Sequence, residues 1–585
     1  MAKQQRNGPC SCGSGRKFKR CCYGKLGQRA MPPHLAIVLQ ELEAQERIRE
    51  RQQGKGKPII AVKDGHRQIV AVNNRLISGM GWKTFADFLQ YYIKDRLGFE
   101  WGQAEIGKPL NERHIIMQWY DAKCRYQQRV MNGAGEVQSA PMTGVLACYF
   151  GLAYSLYLMD HNADLQAKMI ARLKNPDQFQ GAFFEMLVAS ALIRAGYELV
   201  LEDEDSRKTR HCEFAAIKRD NGKRYTVEAK SRTVAGFLGS KQGNDENPLS
   251  RLRQHLHDAL DKPSDHERLV FIDINAPVDI ADDAANEAVL LRAAQKLDYY
   301  ERHPDAPPHP AYVFLVNAAF HRNLDHKPIV LVLPHGYRIP DFNKPTPIPV
   351  VERYRQDQKH ADIYEIAKCF HALDELPTTF DGSLPSETIH GEIARMKIGG
   401  VYEFEGPNGL AQGVVRSATV METDKTIWAS VETKDGHGLY TEQMSDAAFE
   451  DWLANKDSYF GKVLDVATNP KTPLEVYARF MEMFADYDRK ALALQIGRKP
   501  YDPLLAHLSD NELREQVSNG LLTALLNKGA GGHTFRRSLQ ADPRESESCR
   551  KRLPPHTHAT PKRKHLPAYS GRASKLAVLW KGGAA

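Results

Sequence analysis

Apolar and polar positions change period repeatedly along this chain, and the stretch from Gln178 to Leu333 is the most readable. Apolar residues recur at helical spacing over Phe179–Ala195, then alternate in twos over Tyr197–Leu201, Glu213–Lys218 and Arg224–Lys230. The turn residues Asp220, Asn221 and Gly222 join the last two runs into an antiparallel pair. A polar, glycine-containing loop follows. Beyond it the pattern predicts a helix over Pro248–Lys262, a strand over Arg268–Asn275, a helix over Ala284–Tyr300, and strands near Ala311–Val316 and Pro328–Leu333. Helices and strands interleaved in this way predict an α/β domain with a central mixed sheet over residues 178–335.

The flanking segments have other signatures. Residues 29–57 read as a charged helical linker fraying into Gly and Lys. Residues 58–177 open with two apolar runs, Pro58–Lys63 and Gln68–Asn73, split by Asp64–Gly65 as in a β-hairpin, and continue with helical patterning rich in Tyr and Trp. Within it, Met142–Met159 carries no charge; its glycines, serine and tyrosines favour a buried helix over a membrane span. Residues 336–395 read as a helical connector, 396–465 as a small β domain, 466–529 as a helical segment, and 530–585 as a basic disordered tail without hydrophobic period.

At 585 residues, 42% of them hydrophobic and 26% charged, the chain calls for several folded units. The net charge of +8 conceals a division. Residues 1–29 carry eight Lys/Arg and no acid, residues 530–585 are +9, and subtracting both from the total leaves a body of −9. Basic ends on an acidic body suit a polyanionic partner, and equally suit simple solvation. Of nine cysteines, four cluster at the N-terminus and five stand singly, which is reducing-compartment usage and predicts a cytoplasmic protein.

Chemistry concentrates at Glu228-Ala229-Lys230. Strand alternation sets Glu228 and Lys230 on one face, and the Asn221–Gly222 turn brings Glu213 back alongside. Glu185 shares a helical face with Val188 and Leu192 that points toward the sheet. Carboxylates converging in this way suit Mg²⁺ or Mn²⁺, which take oxygen ligands and complete their shell with water and phosphate. A neighbouring lysine serves the attacking water and the charge of the transition state. Other acid-x-Lys triplets, such as Asp121–Lys123 and Asp488–Lys490, lack the hairpin and the preceding helix.

The arrangement resembles the PD-(D/E)xK superfamily of restriction-endonuclease-like nucleases over about residues 178–275. The resemblance implies catalytic roles for Glu185, Glu213, Glu228 and Lys230, with Mg²⁺ held by Glu213 and Glu228. Position 213 is Glu where the superfamily usually has Asp. Gln254 falls where some members carry a substrate-contacting Gln, although its reading as a helix surface residue is the favoured one.

In the first 28 residues, Cys10, Cys12, Cys21 and Cys22 are spaced C-x-C-x8-C-C around Gly13-Ser14-Gly15, in a segment too short to bury a core. Four thiolates at this spacing can enclose one structural Zn²⁺ tetrahedrally, with no open position for catalysis. Residues 9–22 resemble the SEC-C motif of the SecA translocation ATPase and other bacterial proteins, which implies zinc binding and docking to a protein or a ribosome. No G-x-x-x-x-G-K-[ST] phosphate loop is present. These readings lead to an expected metal-dependent nuclease acting on nucleic acid; the alternative is a non-catalytic zinc-binding docking protein on a degenerate nuclease-like scaffold.

Overall fold

The computed structural model describes residues 17, 32–131, 133, 135–163, 167–201, 214–236, 238, 247–344, 347–406, 409–434, 436–465, 470–499, 501–529 and 575–579. Two compact units emerge: Met1–Arg51 with Gly382–Val466, and Gln52–Asp381 with Ala467–Ala585. Each contains helices and β-structure, so the protein is a multidomain α/β chain.

The first helix, α1 (Pro33–Gln53), belongs for most of its length to the smaller unit. Its Ile48 is buried with Leu384, Val420, Ile427 and Trp452, and its Arg47 and Arg51 pair with Asp457. The charged helical linker expected over 29–57 is thus a helix for most of its length, and that helix packs within the smaller unit. The charged pattern hides a packed face, because one buried isoleucine per few turns and arginines whose stems lie on a partner suffice to dock a helix.

The larger unit starts with a meander of three antiparallel strands, β1 (Ile60–Asp64), β2 (Arg67–Val72) and β3 (Arg75–Met80), one strand more than the hairpin expected. Helices α2 (Phe85–Leu97), α3 (Phe99–Ile106) and α4 (Ile115–Val130) follow, α2 opened by a capping box between Thr84 and Asp87. After β4 (Val137–Pro141) comes α5 (Gly144–Asn162), buried at every residue, as its uncharged run up to Met159 suggests. Among the described residues no helix is long and apolar enough to cross a membrane.

Helices α6 (Ala167–Lys174) and α7 (Pro176–Arg194) lead into the main sheet. Asn175 caps α7, Pro176 occupies its first turn, and Gly196 (φ +90°) follows its end. The sheet elements are β5 (Tyr197–Leu201), β6 (Phe214–Lys218), β7 (Arg224–Ser231), then α8 (Leu252–Leu260), β8 (Glu267–Asp273), α9 (Asp283–Glu301), β9 (Ala311–Asn317) and β10 (Leu331–Tyr337). Strand order is β10-β9-β8-β7-β6-β5; β7, β8 and β9 run parallel and the others antiparallel, giving the mixed sheet expected. Apolar runs such as Leu269-Val270-Phe271-Ile272 mark β8 as interior, buried on both faces.

One sheet face, with Tyr225, Val227, Ala229, Phe271 and Phe314, packs on α7, and α7 in turn packs on α5 in one continuous core. The boundary expected at 177/178 is thus absent: α7 is apolar nearly all round and needs cover on both sides. Helices α10 (Val350–Lys359) and α11 (Ala361–His371) are not the connector expected over 336–395. Ile363, Ile366 and Phe370 of α11 join that same core, with Phe370 stacked on Phe271 at 6.0 Å. The opposite sheet face, with Val270, Ile272, Val313 and Leu315, packs on α8 and α9.

In the smaller unit α12 (Pro385–Thr388) precedes a four-stranded antiparallel meander, β11 (Val401–Gly406), β12 (Gly409–Met421), β13 (Thr426–Thr433) and β14 (Gly436–Gln443), closed by α13 (Asp446–Ala454). Residues 396–465, expected as a small β domain, supply this meander and α13 to the smaller unit. The larger unit resumes with α14 (Pro473–Met483), α15 (Arg489–Gln495) and α16 (Asp510–Gly529), the helical segment expected over 466–529, tied to α10 by Arg355 on Glu515. In the tail, Lys575–Leu579 forms β15, antiparallel to β4, where no strand was expected. The zinc knuckle expected at Cys10, Cys12, Cys21 and Cys22, and the remainder of the tail, lie outside the described residues.

Candidate active site

Strand β7 carries the site. Its alternation sends Tyr225, Val227 and Ala229 into the core beneath α7, so Thr226, Glu228 and Lys230 emerge on the α8 face. Glu228 is 2% exposed. One carboxylate oxygen lies 2.8 Å from Lys230 Nζ and the other 2.7 Å from Lys262 Nζ. Lys262 comes from the turn after α8, and close by Ser264 Oγ meets Thr226 Oγ1 at 2.7 Å. A buried carboxylate between two ammoniums is held chiefly by charge, because neither it nor they could be buried alone without large desolvation cost. His255 of α8 adds a half-buried imidazole, lowered below the usual histidine range by burial, an effect Asp258 opposes and Lys230 increases.

Glu185 projects from α7, the helix on the other face of the sheet. Its carboxylate is grasped by Arg172 of α6 in a two-point pair of 2.6 and 2.5 Å. Among the described contacts it meets neither Glu228 nor Lys230. Gln254 is exposed on α8, donating from Nε2 to Asp258 of its own helix at 2.7 Å, which fits the surface reading. Glu213 lies outside the described residues; β6 begins at the next residue, Phe214, opposite Val227.

A second polar assembly lies at the carboxyl ends of β7, β8 and β9, the end of a parallel sheet where ligands usually bind. Ser231 Oγ donates to Asp273 Oδ2 at 3.1 Å, and the Asn275 amide donates to Oδ1 at 3.1 Å. Burial pushes the Asp273 carboxyl up to about 6, against hydrogen bonds that lower it. Arg232 donates to the carbonyls of Ile274 and Asn275, Arg322 to both oxygens of Asn275, and Gln180 of α7 to the Arg232 carbonyl. Asn275 holds φ at +46°, a conformation asparagine tolerates and most residues do not. These bonds fix the exit of β7, and with it the end of the strand that bears Lys230.

Asp273 and Lys262 were not singled out in the sequence. Asp273 had a signal, an acid closing the apolar run Leu269–Ile272. Lys262 had none, since a lysine after a helix is ordinary.

The raised Asp273 carboxyl makes a stability prediction. The folded state holds its proton up to about pH 6, whereas the unfolded chain releases it near 3.8. Stability is therefore greatest below the lower value and falls as pH rises through this window. Asp273→Asn should flatten the fall and raise neutral-pH stability by about 1–3 kcal/mol. Urea midpoints for both proteins at pH 4 and pH 7 read it out; parallel pH dependence in the two would contradict it.

Comparison with protein-family models, with curated protein sequences and with solved structures finds no match for this chain.

Proposed function

We propose that the chain is a metal-dependent nuclease of the PD-(D/E)xK kind, hydrolysing phosphodiester bonds and recruited through a SEC-C-like zinc knuckle at its N-terminus. The observation that carries the reading is the placement of Glu228 and Lys230 side by side on one face of β7, with α7, the β6–β7 pair and β7's Glu-x-Lys end following in the order the resemblance implies.

Glu228, with Glu213, the residue before Phe214 in sequence, would hold Mg²⁺ or Mn²⁺ through carboxylate oxygens, the donors these ions prefer. The ion, when bound, supplies Lewis-acid polarisation of the phosphoryl group. Both Glu228 oxygens face ammoniums, so one lysine must yield. Lys262, on a turn, has more freedom to do so than Lys230, whose backbone is paired with Ile272 of β8. Lys230 then orients the attacking water and stabilises charge developing on phosphate, while Lys262 binds a phosphate oxygen as a point charge. Glu185, expected at the site, is held by Arg172 on the other face of the sheet and takes no part in this reading.

One observation favours the alternative, a non-catalytic docking protein: Glu228 is already neutralised by two lysines, and Glu185 by Arg172. Incubating the purified chain with supercoiled plasmid, single-stranded DNA and RNA in Mg²⁺, Mn²⁺ or chelator separates the readings. Metal-dependent cleavage of at least one substrate is expected; no cleavage of any would leave the docking protein.

The knuckle is tested by metal analysis. The wild-type chain should carry zinc that a Cys10→Ala/Cys22→Ala variant loses, removing an apparent folding contribution of about 10–16 kcal/mol to the knuckle. Equal zinc content in the two proteins would eliminate the cysteine site.

A further inference from the structure

We propose that Asp298, Glu301 and His335 form a second divalent-cation site, of the zinc class, which Lys344 fills when no cation is bound. The site stands apart from the candidate nuclease residues and does not depend on the nuclease reading.

Asp298 and Glu301 lie three residues apart near the end of α9, hence on one helix face. His335 lies on β10, the edge strand, between Leu333 and Tyr337, whose side chains pack in the same core as α9. One ligand atom from each of the three residues lies within 4.8 Å of the other two. Two acids alone would be an ordinary charged surface; the histidine sets this cluster apart. His335 is 4% exposed, and its Nε2 is buried without a hydrogen-bond partner, 3.7 Å from Asp298 Oδ1. A buried ring nitrogen left unbonded costs about 1–3 kcal/mol, and a metal–nitrogen bond would satisfy it. The two carboxylates remain about a quarter to a third exposed, so an ion can enter with its water.

Lys344 Nζ lies 3.4 Å from Asp298 and 3.1 Å from Glu301, marking where positive charge is wanted. Its contacts are with the two carboxylates, and the histidine Nε2 is left without a hydrogen bond, available to an ion that displaces the lysine. One nitrogen and two carboxylate oxygens match zinc-class ions better than Mg²⁺ or Ca²⁺, which prefer oxygen throughout. A bound ion would fasten the edge strand β10 to α9, with a remaining coordination position for water.

The test uses the full chain with Cys10, Cys12, Cys21 and Cys22 all changed to serine, so that knuckle zinc does not contribute. Equilibrium dialysis against Zn²⁺, and the visible absorption of Co²⁺ in its place, should show one bound ion lacking thiolate charge-transfer bands. Adding His335→Gln should abolish that binding. Adding Lys344→Ala, a change at a partly exposed side chain, should tighten it about tenfold, the scale of effects from residues adjoining metal ligands. Failure of the serine-substituted protein to bind Zn²⁺ would overturn the proposal, as would affinity unchanged by either His335→Gln or Lys344→Ala.

Discussion

Replacing Glu228 with alanine is expected to destabilise the larger unit by about 3–5 kcal/mol, one of the largest single-residue effects in this chain. The carboxylate is buried with ammoniums at 2.7 and 2.8 Å, so its removal leaves two like charges where a neutralising group stood. The cost arises mainly from the charges that remain, and the remedy is specific. Substituting the pair as Glu228→Leu with Lys262→Met should recover much of the loss, because apolar groups of similar volume need no counter-charge. Urea unfolding at neutral pH reads the difference. A Glu228→Ala midpoint equal to wild type would show that the ionic triad does not hold α8 to β7.

The second large effect concerns catalysis. Lys230→Ala is expected to lower cleavage by about a hundredfold to a thousandfold, the usual cost of removing one preorganised donor to transition-state charge. Its side chain is 20% exposed and its backbone is paired with Ile272 of β8, so the fold should tolerate the change far better than Glu228→Ala. Lys262→Ala should act differently. As a phosphate-binding charge it should raise KM and weaken the salt dependence of binding, with a smaller change in kcat. Lys230 and Lys262 thus divide between chemistry and binding, although both touch the same carboxylate.

Much of the main sheet was legible in the chain because local period carries it. The alternation of β7, the Asn221–Gly222 turn and the apolar runs of β8 and β9 each report their own environment within a few residues. The features that escaped are long-range. Nothing near Gly144–Asn162 says that it will lie against Pro176–Arg194, so two segments with different patterns were divided where they share one core. Helix α1 looks like a solvated linker until Leu384 and Trp452, more than three hundred residues on, are seen beside Ile48. The site divides the same way. Glu228 and Lys230 share a face by strand geometry alone, whereas Lys262 arrives through the packing of α8 and Arg172 claims Glu185 across a helix pair. Burial, too, is a tertiary property: the raised carboxyl of Asp273 follows from what covers the end of β8, not from its neighbours in sequence.

The most direct measurement is the rate of metal-dependent phosphodiester cleavage by wild type, Lys230→Ala and Glu228→Gln, each normalised to its folded fraction, on labelled DNA and RNA. The account predicts product from wild type in Mg²⁺ or Mn²⁺, none in chelator, and a loss of about a hundredfold or more in both variants. Cleavage that survives undiminished in either variant, or a wild type inert on every substrate, would contradict it.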